Sequence, residues 1–210
     1  KSLFSSFNDG MGWENVKLLG LDNESIPAEE TPKKVSVCNH LEGTFGFFSV
    51  MPGETSKSAV YYTLDNGDHW QRTELNFNIR DIVWGGKKSS PELLLATDKG
   101  LYRILPKQNN IPEEIEFFAD STPSPALYSV EYASDKKGNQ YIVTSTQRKE
   151  GLFLLIKNES ITSHFVSIGF QGMDIRTLSI EKDGDRNFLW IGTTVLGTEK
   201  GTGCYRIELR

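Results

Sequence analysis

Three short runs along this chain share one shape: Gly100-Leu101-Tyr102-Arg103-Ile104, Gly151-Leu152-Phe153-Leu154-Leu155 and Gly203-Cys204-Tyr205-Arg206-Ile207. Their glycines stand 51 and 52 positions apart, and a period near fifty residues belongs to propellers and solenoids, which stack one supersecondary unit many times. A second apolar run precedes each of them: Glu92 to Thr97, Gln140 to Thr144 and Phe188 to Thr193. Before those come Ile79 to Trp84, Leu127 to Tyr132 and Ile175 to Ile180, so an order of strand A, strand B, strand C repeats. A strand D follows twice, at Ile115 to Phe118 and His164 to Ile168, which completes a four-stranded meander. The runs are short and rich in β-branched and aromatic residues, with Gly, Pro, Asn and Asp between them, as strands require.

An earlier repeat places strand A at Lys34 to Asn39, B at Thr44 to Met51, C at Ala59 to Leu64 and D at Trp70 to Asn76. Leu3 to Phe7 and Asn15 to Leu19 read as strands C and D of a blade before it. The middle strands are nearly continuous apolar runs, which a sheet covered on both faces needs and a sandwich sheet does not. The expected fold is therefore all-β: a β-propeller, or propeller segment, of about four antiparallel four-stranded blades. It forms one domain over 1–210, with approximate blades at 1–22 (partial), 33–77, 78–120, 124–169 and 173–210 (partial). Both ends supply a strand C although one blade needs only one, which favours a segment of a larger ring and a longer, multidomain parent chain.

The turn between the last two strands of the early repeat carries its own signature, Thr63-Leu64-Asp65-Asn66-Gly67-Asp68-His69-Trp70. It recurs imperfectly as Ser6-Phe7-Asn8-Asp9-Gly10-Met11-Gly12-Trp13. In this pattern Asp65 or Asn8 accepts hydrogen bonds from nearby backbone N–H groups, Gly67 or Gly10 supplies positive φ, and the indole of Trp70 or Trp13 covers the turn. Thr63 and Ser6 open the two turns with a hydroxyl. The signature resembles the Asp-box of sialidase-like β-propellers, also called the BNR repeat. In that family the box is structural and occurs in enzymes and non-enzymes alike, so the resemblance implies a fold and leaves the chemistry open. Two departures, Asn8 for the usual Asp and Thr63 for the usual Ser, keep their acceptors. The repeat pattern covers nearly the whole chain, whereas the motif itself covers the two boxes.

Sialidases place a triad of arginines around the substrate carboxylate, with a tyrosine and acidic residues completing the site. The family's Arg-Ile-Pro segment near the beginning is absent here, and no Tyr-Glu pairing can be assigned, so no catalytic residue carries over. In a propeller the innermost strand lines the central channel, and its first residues are where binding groups collect. Asn78-Ile79-Arg80-Asp81-Ile82 and Asp174-Ile175-Arg176-Thr177-Leu178 share a pattern there, and alternation puts Arg80 and Arg176 in equivalent positions. The candidate ligand-binding residues are Arg80, Asp81, Tyr128, Asp174 and Arg176, with the arginines suited to a carboxylate or phosphate. A structural reading competes with this one: each arginine pairs with a neighbouring Asp and holds the blade entry.

Other chemistries find little support. His40, His69 and His164 are isolated from any Cys or His at metal-ligand spacing, so no metal and no cofactor are expected. Asp183-Gly184-Asp185-Arg186-Asn187 is oxygen-rich, but it lacks the rest of a twelve-residue calcium loop and reads as a hairpin. The Gly197-to-Gly203 stretch lacks the ending of a phosphate-binding loop and reads as a long B–C loop suited to contacts. Leu21 to Lys33, with Pro27, Pro32 and acidic residues, reads as an exposed connection. Cys38 and Cys204 are expected as two buried thiols, and Asn23-Glu24-Ser25 and Asn158-Glu159-Ser160 match the glycosylation sequon. A net charge of −5 with mixed signs argues against nucleic acid, and no long apolar run or signal peptide appears, so the chain is expected to be soluble with no membrane partner. The function expected is a non-catalytic recognition or scaffold module that binds a protein or a glycan through its top face and channel. The alternative is part of a sialidase-like or other glycoside-cleaving propeller enzyme.

Overall fold

Side chains alternate between the two faces of a strand, so a strand whose every residue is apolar can be stable only where both faces are covered. The computed structural model describes residues 3–6, 10–20, 31–38, 41–50, 57–108, 110–118, 123–158, 161–162, 164–194 and 203–209, and every regular element among them is a strand. Two compact units are present, Lys1–Ile79 and Arg80–Arg210.

In the first unit β1 (Phe4–Ser5) and β2 (Glu14–Asn15) form a short antiparallel hairpin. An antiparallel meander follows, made of β3 (Thr31–Val37), β4 (Phe45–Val50), β5 (Ser58–Thr63) and β6 (Gln71–Leu75). One face of this sheet packs Phe47, Ala59, Tyr61 and Trp70 against Leu3, Val16 and Leu18. Phe47 and Tyr61 are cross-strand partners with rings stacked at 4.6 Å.

The second unit carries three meanders in chain order. In the first, β7 (Ile79–Lys87), whose first residue closes the first unit, β8 (Ser90–Thr97), β9 (Gly100–Ile104) and β10 (Glu113–Ile115) lie side by side in that order. The second meander is β11 (Leu127–Ser134), β12 (Gln140–Thr146) and β13 (Leu152–Asn158), with β14 (Ile161–Thr162) and β15 (Val166–Gly169) both pairing β13. The third is β16 (Asp174–Asp183), β17 (Arg186–Thr194) and β18 (Gly203–Leu209).

The central meander shows why its strands are apolar throughout. Ile142, Phe153 and Leu155 point one way and join Leu94, Ala96, Leu101 and Phe117 of the preceding sheet. Tyr141, Val143, Leu152 and Leu154 point the other way and join Ile175, Leu178, Leu189 and Ile191 of the following sheet. Each such buried side chain contributes roughly 1.5–3 kcal/mol, so the stacking of sheets is the main source of stability here. Sequential antiparallel sheets stacked face to face are propeller blades, and the fold is all-β as expected, with no sheet closing on itself among the described residues. A close approach reinforces one junction: Gly85 lacks the Cβ that would come within 2.7 Å of the Tyr132 ring, and the Tyr132 hydroxyl donates to Gly86 O at 3.1 Å.

Strand D departs from expectation in both complete blades of this unit. In the first, pairing ends at Ile115; in the second, it is interrupted after Thr162 and resumes only at Val166, because Phe117 and Phe165 leave the ladder and enter the core. Their rings stack at 4.1 Å, which gains more than two further ladder hydrogen bonds on an outer edge. Strand B of the central meander runs on to Thr146, two residues past its expected end. Three equivalent threonines close the B–C turns: Thr97, Thr146 and Thr193 donate from Oγ1 to the carbonyls of Gly100, Gly151 and Gly203 at 2.8, 3.5 and 3.2 Å.

The two signature turns share two hydrogen bonds. Gly67 N donates to Thr63 Oγ1 at 3.0 Å and Gly10 N to Ser6 Oγ at 2.9 Å, while the Trp70 and Trp13 indoles donate to the carbonyls of Gly67 and Gly10 at 3.1 Å each. Asp65 accepts from Thr63 Oγ1 and His69 N, and its other oxygen lies 2.7 Å from the His69 ring, whereas Asn8 lies outside the described residues. Gly67 has φ 92°, a conformation that glycine adopts without strain. The turns differ in cover: Trp70 is 1% exposed and Trp13 64% exposed.

Cys38 is buried as expected, but Cys204 is exposed, because it lies on the face of β18 turned away from the preceding blade; both are free thiols. Asp183 to Asn187 forms the expected hairpin, closed by the pair Asp183 and Arg186. The sequon at Asn23, the acidic part of the connection after Leu21, His40 and the loop from 195 to 202 lie outside the described residues. Among the described residues no helix is long and apolar enough to cross a membrane.

Replacing Trp70 by Ala is expected to cost about 3–5 kcal/mol, and the same change at Trp13 under about 1 kcal/mol, as read by denaturant unfolding. A milder test uses acid. Burial opposes ionisation of Asp65, but the hydrogen bonds from His69 N and Thr63 and the His69 ring outweigh it and hold the carboxyl below its ordinary range. A depressed carboxylate contributes stability above its unfolded value and loses it as pH falls through the folded one. Thermal midpoints taken from about pH 6 down to about pH 3 should therefore fall more steeply in the natural protein than in Asp65→Asn.

Candidate functional site

The first strands β3, β11 and β16 each begin with a break in the ladder. The register shifts between Leu127 and Ser129 in β11, between Ile175 and Thr177 in β16, and between Pro32 and Lys34 in β3. The extra residues are Tyr128, Arg176 and Lys33. A bulged residue is released from pairing and re-aimed, which is why bulges recur at binding surfaces. Arg80, Tyr128 and Arg176 recur at one identical spacing, each following a buried Ile79, Leu127 or Ile175. Lys33, which has the corresponding place in the first unit, was not read from the sequence; the recurring register is the signal that marks it.

In the second unit three of the five sequence-predicted residues come together. Arg176 donates from Nε and Nη2 to Asp174 Oδ2 at 2.9 and 2.7 Å, and its guanidinium lies 4.3 Å from the centre of the Tyr128 ring. Asp174 is buried and Arg176 is exposed, so the carboxylate anchors a cation at the surface. The Asp174 hydrogen bonds push the Arg176 pKa up against partial desolvation, with Tyr128 adding to the effect. The stack joins two adjacent blades, Tyr128 on β11 and Arg176 on β16.

Asp81 does something else. It is buried, and its Oδ2 accepts from Ser129 Oγ at 2.6 Å and Val130 N at 3.2 Å while Oδ1 accepts from Ile82 N at 2.8 Å. Asp81 therefore staples β7 to β11, and this junction belongs to the frame under the row. Arg80, one residue earlier, is exposed. Ser129 was not anticipated; its only sequence sign is that Asp81, Ser129 and Thr177 recur one position after Arg80, Tyr128 and Arg176.

The arrangement can hold an anion or donate hydrogen bonds through Arg80 and Arg176, with Tyr128 as an aromatic wall. Glycoside cleavage asks for a carboxylic acid able to release its proton and a second carboxylate across from it. Asp174 is committed to Arg176 and Asp81 to the blade junction. Among the described residues no group of three or more His, Cys, Asp or Glu is placed to hold a metal ion. The arginines of strand C lie elsewhere: Arg103 pairs with Glu113 at 3.0 Å, and Arg206 lies over Phe188 at 3.6 Å.

No family model and no curated protein matches this sequence. Among solved structures the chain is similar to one described as a bifunctional GH43-CE from Bacteroides eggerthii, at 14% identity and a TM-score of 0.42. The match covers 86% of this chain and 27% of that one, so this chain spans about a quarter of that structure's length. The fold assignment rests on strand order and packing within the chain itself.

Removing the Asp81 side chain leaves the buried Ser129 hydroxyl and the backbone N–H groups of Val130 and Ile82 without this acceptor. Asp81→Ala should cost about 2–4 kcal/mol in denaturant unfolding, and Asp81→Asn, which keeps one acceptor oxygen, distinctly less.

Proposed function

We propose that this chain is a non-catalytic recognition or scaffold module that binds another protein or a glycan through the face on which its first strands open, with Arg80, Tyr128 and Arg176 as contacts. The observation that carries this reading is the Tyr128–Arg176 stack, anchored by buried Asp174 at two ladder bulges. A cation already held by a carboxylate and an aromatic face loses little freedom on binding, and such pre-organisation favours recognition. The same commitment of Asp174 and Asp81 speaks against the alternative, a glycoside-cleaving enzyme, because neither is left to shuttle a proton.

The two signature turns fit this reading as Asp-box turns of a sialidase-like scaffold. Their hydrogen bonds are spent on closing hairpins, and Trp70 N donates to Leu19 O at 2.7 Å, which ties the second turn to the segment after the hairpin. In this reading they are structural, as are Ser6, Asn8, Gly10, Trp13, Thr63, Asp65, Gly67 and Trp70. The module acts within a longer chain or an assembly, and it needs no cofactor.

The test is a glycan array together with cross-linking of the tagged chain, run in parallel on the natural protein and on Arg80→Ala/Arg176→Ala. The double variant should keep its fold by circular dichroism and lose at least about tenfold in affinity for whatever is bound, the equivalent of about one charge-assisted hydrogen bond. Unchanged binding would remove these residues from the interface. Turnover of a chromogenic glycoside, abolished by Asp174→Asn, would favour the enzyme.

A further inference from the structure

A second concave surface lies in the Arg80–Arg210 unit, away from the Tyr128–Arg176 stack. An open cleft of about 840 Å³ is bounded by the B–C turn of one blade, the B–C turn of the next, and the connection from Pro123 to Ala126. Its size falls in the range of small-ligand sites. None of the residues proposed above as contacts lines it.

Its walls are held before any ligand arrives. The hydroxyl of Thr97 closes its turn on Gly100 and accepts from Lys99 N at 3.0 Å. Thr146 does the same one blade on, closing on Gly151 and accepting from Glu150 N at 3.0 Å. The second turn is the longer one, and Gln147 pins it to the connection, with its backbone N–H donating to Ala126 O and its side chain to Leu127 O, both at 2.8 Å. Ser124 is fixed in turn by donating to Glu114 Oε1 at 2.8 Å.

The lining chemistry is mixed at short range. Tyr102, Phe118 and Phe153 supply aromatic surface, and Asp98, Glu114 and Glu150 line the cleft together with Lys99 and Arg148. Three carboxylates against two cations leave the cleft nearly neutral, which disfavours a polyanion such as nucleic acid. Carboxylates only accept hydrogen bonds and Lys and Arg only donate, so together they satisfy hydroxyls, which do both. A sugar ring has that form: hydroxyls around its rim and an apolar C–H face that lies on an aromatic ring. Burial, with Glu114 and Asp98 nearby, pushes the Tyr102 hydroxyl up, so it remains a neutral donor at physiological pH.

We propose that this cleft between consecutive B–C turns is a binding site for a neutral oligosaccharide, with Arg148, Lys99 and the carboxylate of Glu114 taking its hydroxyls and Phe118 and Tyr102 its apolar face. The site is independent of the strand-A row and stands or falls without it.

The test uses the full 210-residue chain, 15N-labelled, titrated separately with cellotetraose, xylotetraose, mannotetraose and a β-1,4-galactotetraose. The amides of Lys99, Ser124 and Arg148 should shift in a saturable way with at least one of them, at a Kd of about 1 mM or tighter. Arg148→Ala and Glu114→Gln, each with an otherwise unchanged spectrum, should weaken that binding by about tenfold or more, and Arg80→Ala/Arg176→Ala should leave it intact. Three results would overturn the proposal: no shift at these amides with any of the four sugars at about 10 mM, binding equally strong in both cleft variants, or saccharide binding lost in the strand-A double variant instead.

Discussion

The packing of one sheet on the next governs everything else in the second unit. The middle strand β12 is buried along nearly its whole length because it lies between the preceding and the following sheet, and its alternate residues feed two different cores. A strand committed to two cores cannot slip by one residue without exchanging both sets of contacts, so register is fixed twice over. Outer strands are committed on one side only and are correspondingly short, as β10 and β15 are. The inner strands can then afford ladder breaks at Tyr128 and Arg176, because sheet stacking, rather than local pairing, holds them.

That division of labour also separates frame from surface. Asp81, Ser129 and Val130 spend their polar groups inside the junction between two blades, and Gly85 and Gly86 make room for Tyr132 at the same junction. One residue away from Asp81 and Ser129, Arg80 and Tyr128 belong to the outward row. Strand alternation thus sorts adjacent positions into those that hold the junction and those that lie outside it. The B–C turns are organised by a second repeated device, the threonine that closes on a glycine carbonyl, and it leaves Lys99, Arg148 and Glu150 displayed on a fixed backbone.

Strands A, B and C were legible in the sequence because double burial writes a continuous apolar run and the glycine after the B–C turn punctuates it. Strand D was displaced by two residues in both complete blades, since Phe117 and Phe165 look like strand residues yet gain more from stacking in the core. The turn from Thr63 to Trp70 was readable because its side-chain hydrogen bonds all close within eight residues, and the Asp174–Arg176 pair for the same reason. The bond from Ser129 to Asp81 was not, because it joins residues forty-eight positions apart and depends on how two blades meet. The cleft was equally invisible, being assembled from two turns and a connection. Cys204 was expected inside because it sits within a strand-like run, whereas it lies on the exposed face of β18.

Amide hydrogen exchange on the intact chain tests the stacked-sheet account most directly. If burial between two neighbours governs stability, the amides of β12 should be the slowest to exchange in the second unit, those of β8 close behind, and those of β10 and β15 markedly faster. Equal protection across all strands, or faster exchange in β12 than in the outer strands, would contradict the account and mean that local hairpin pairing, not sheet-on-sheet burial, holds this structure together.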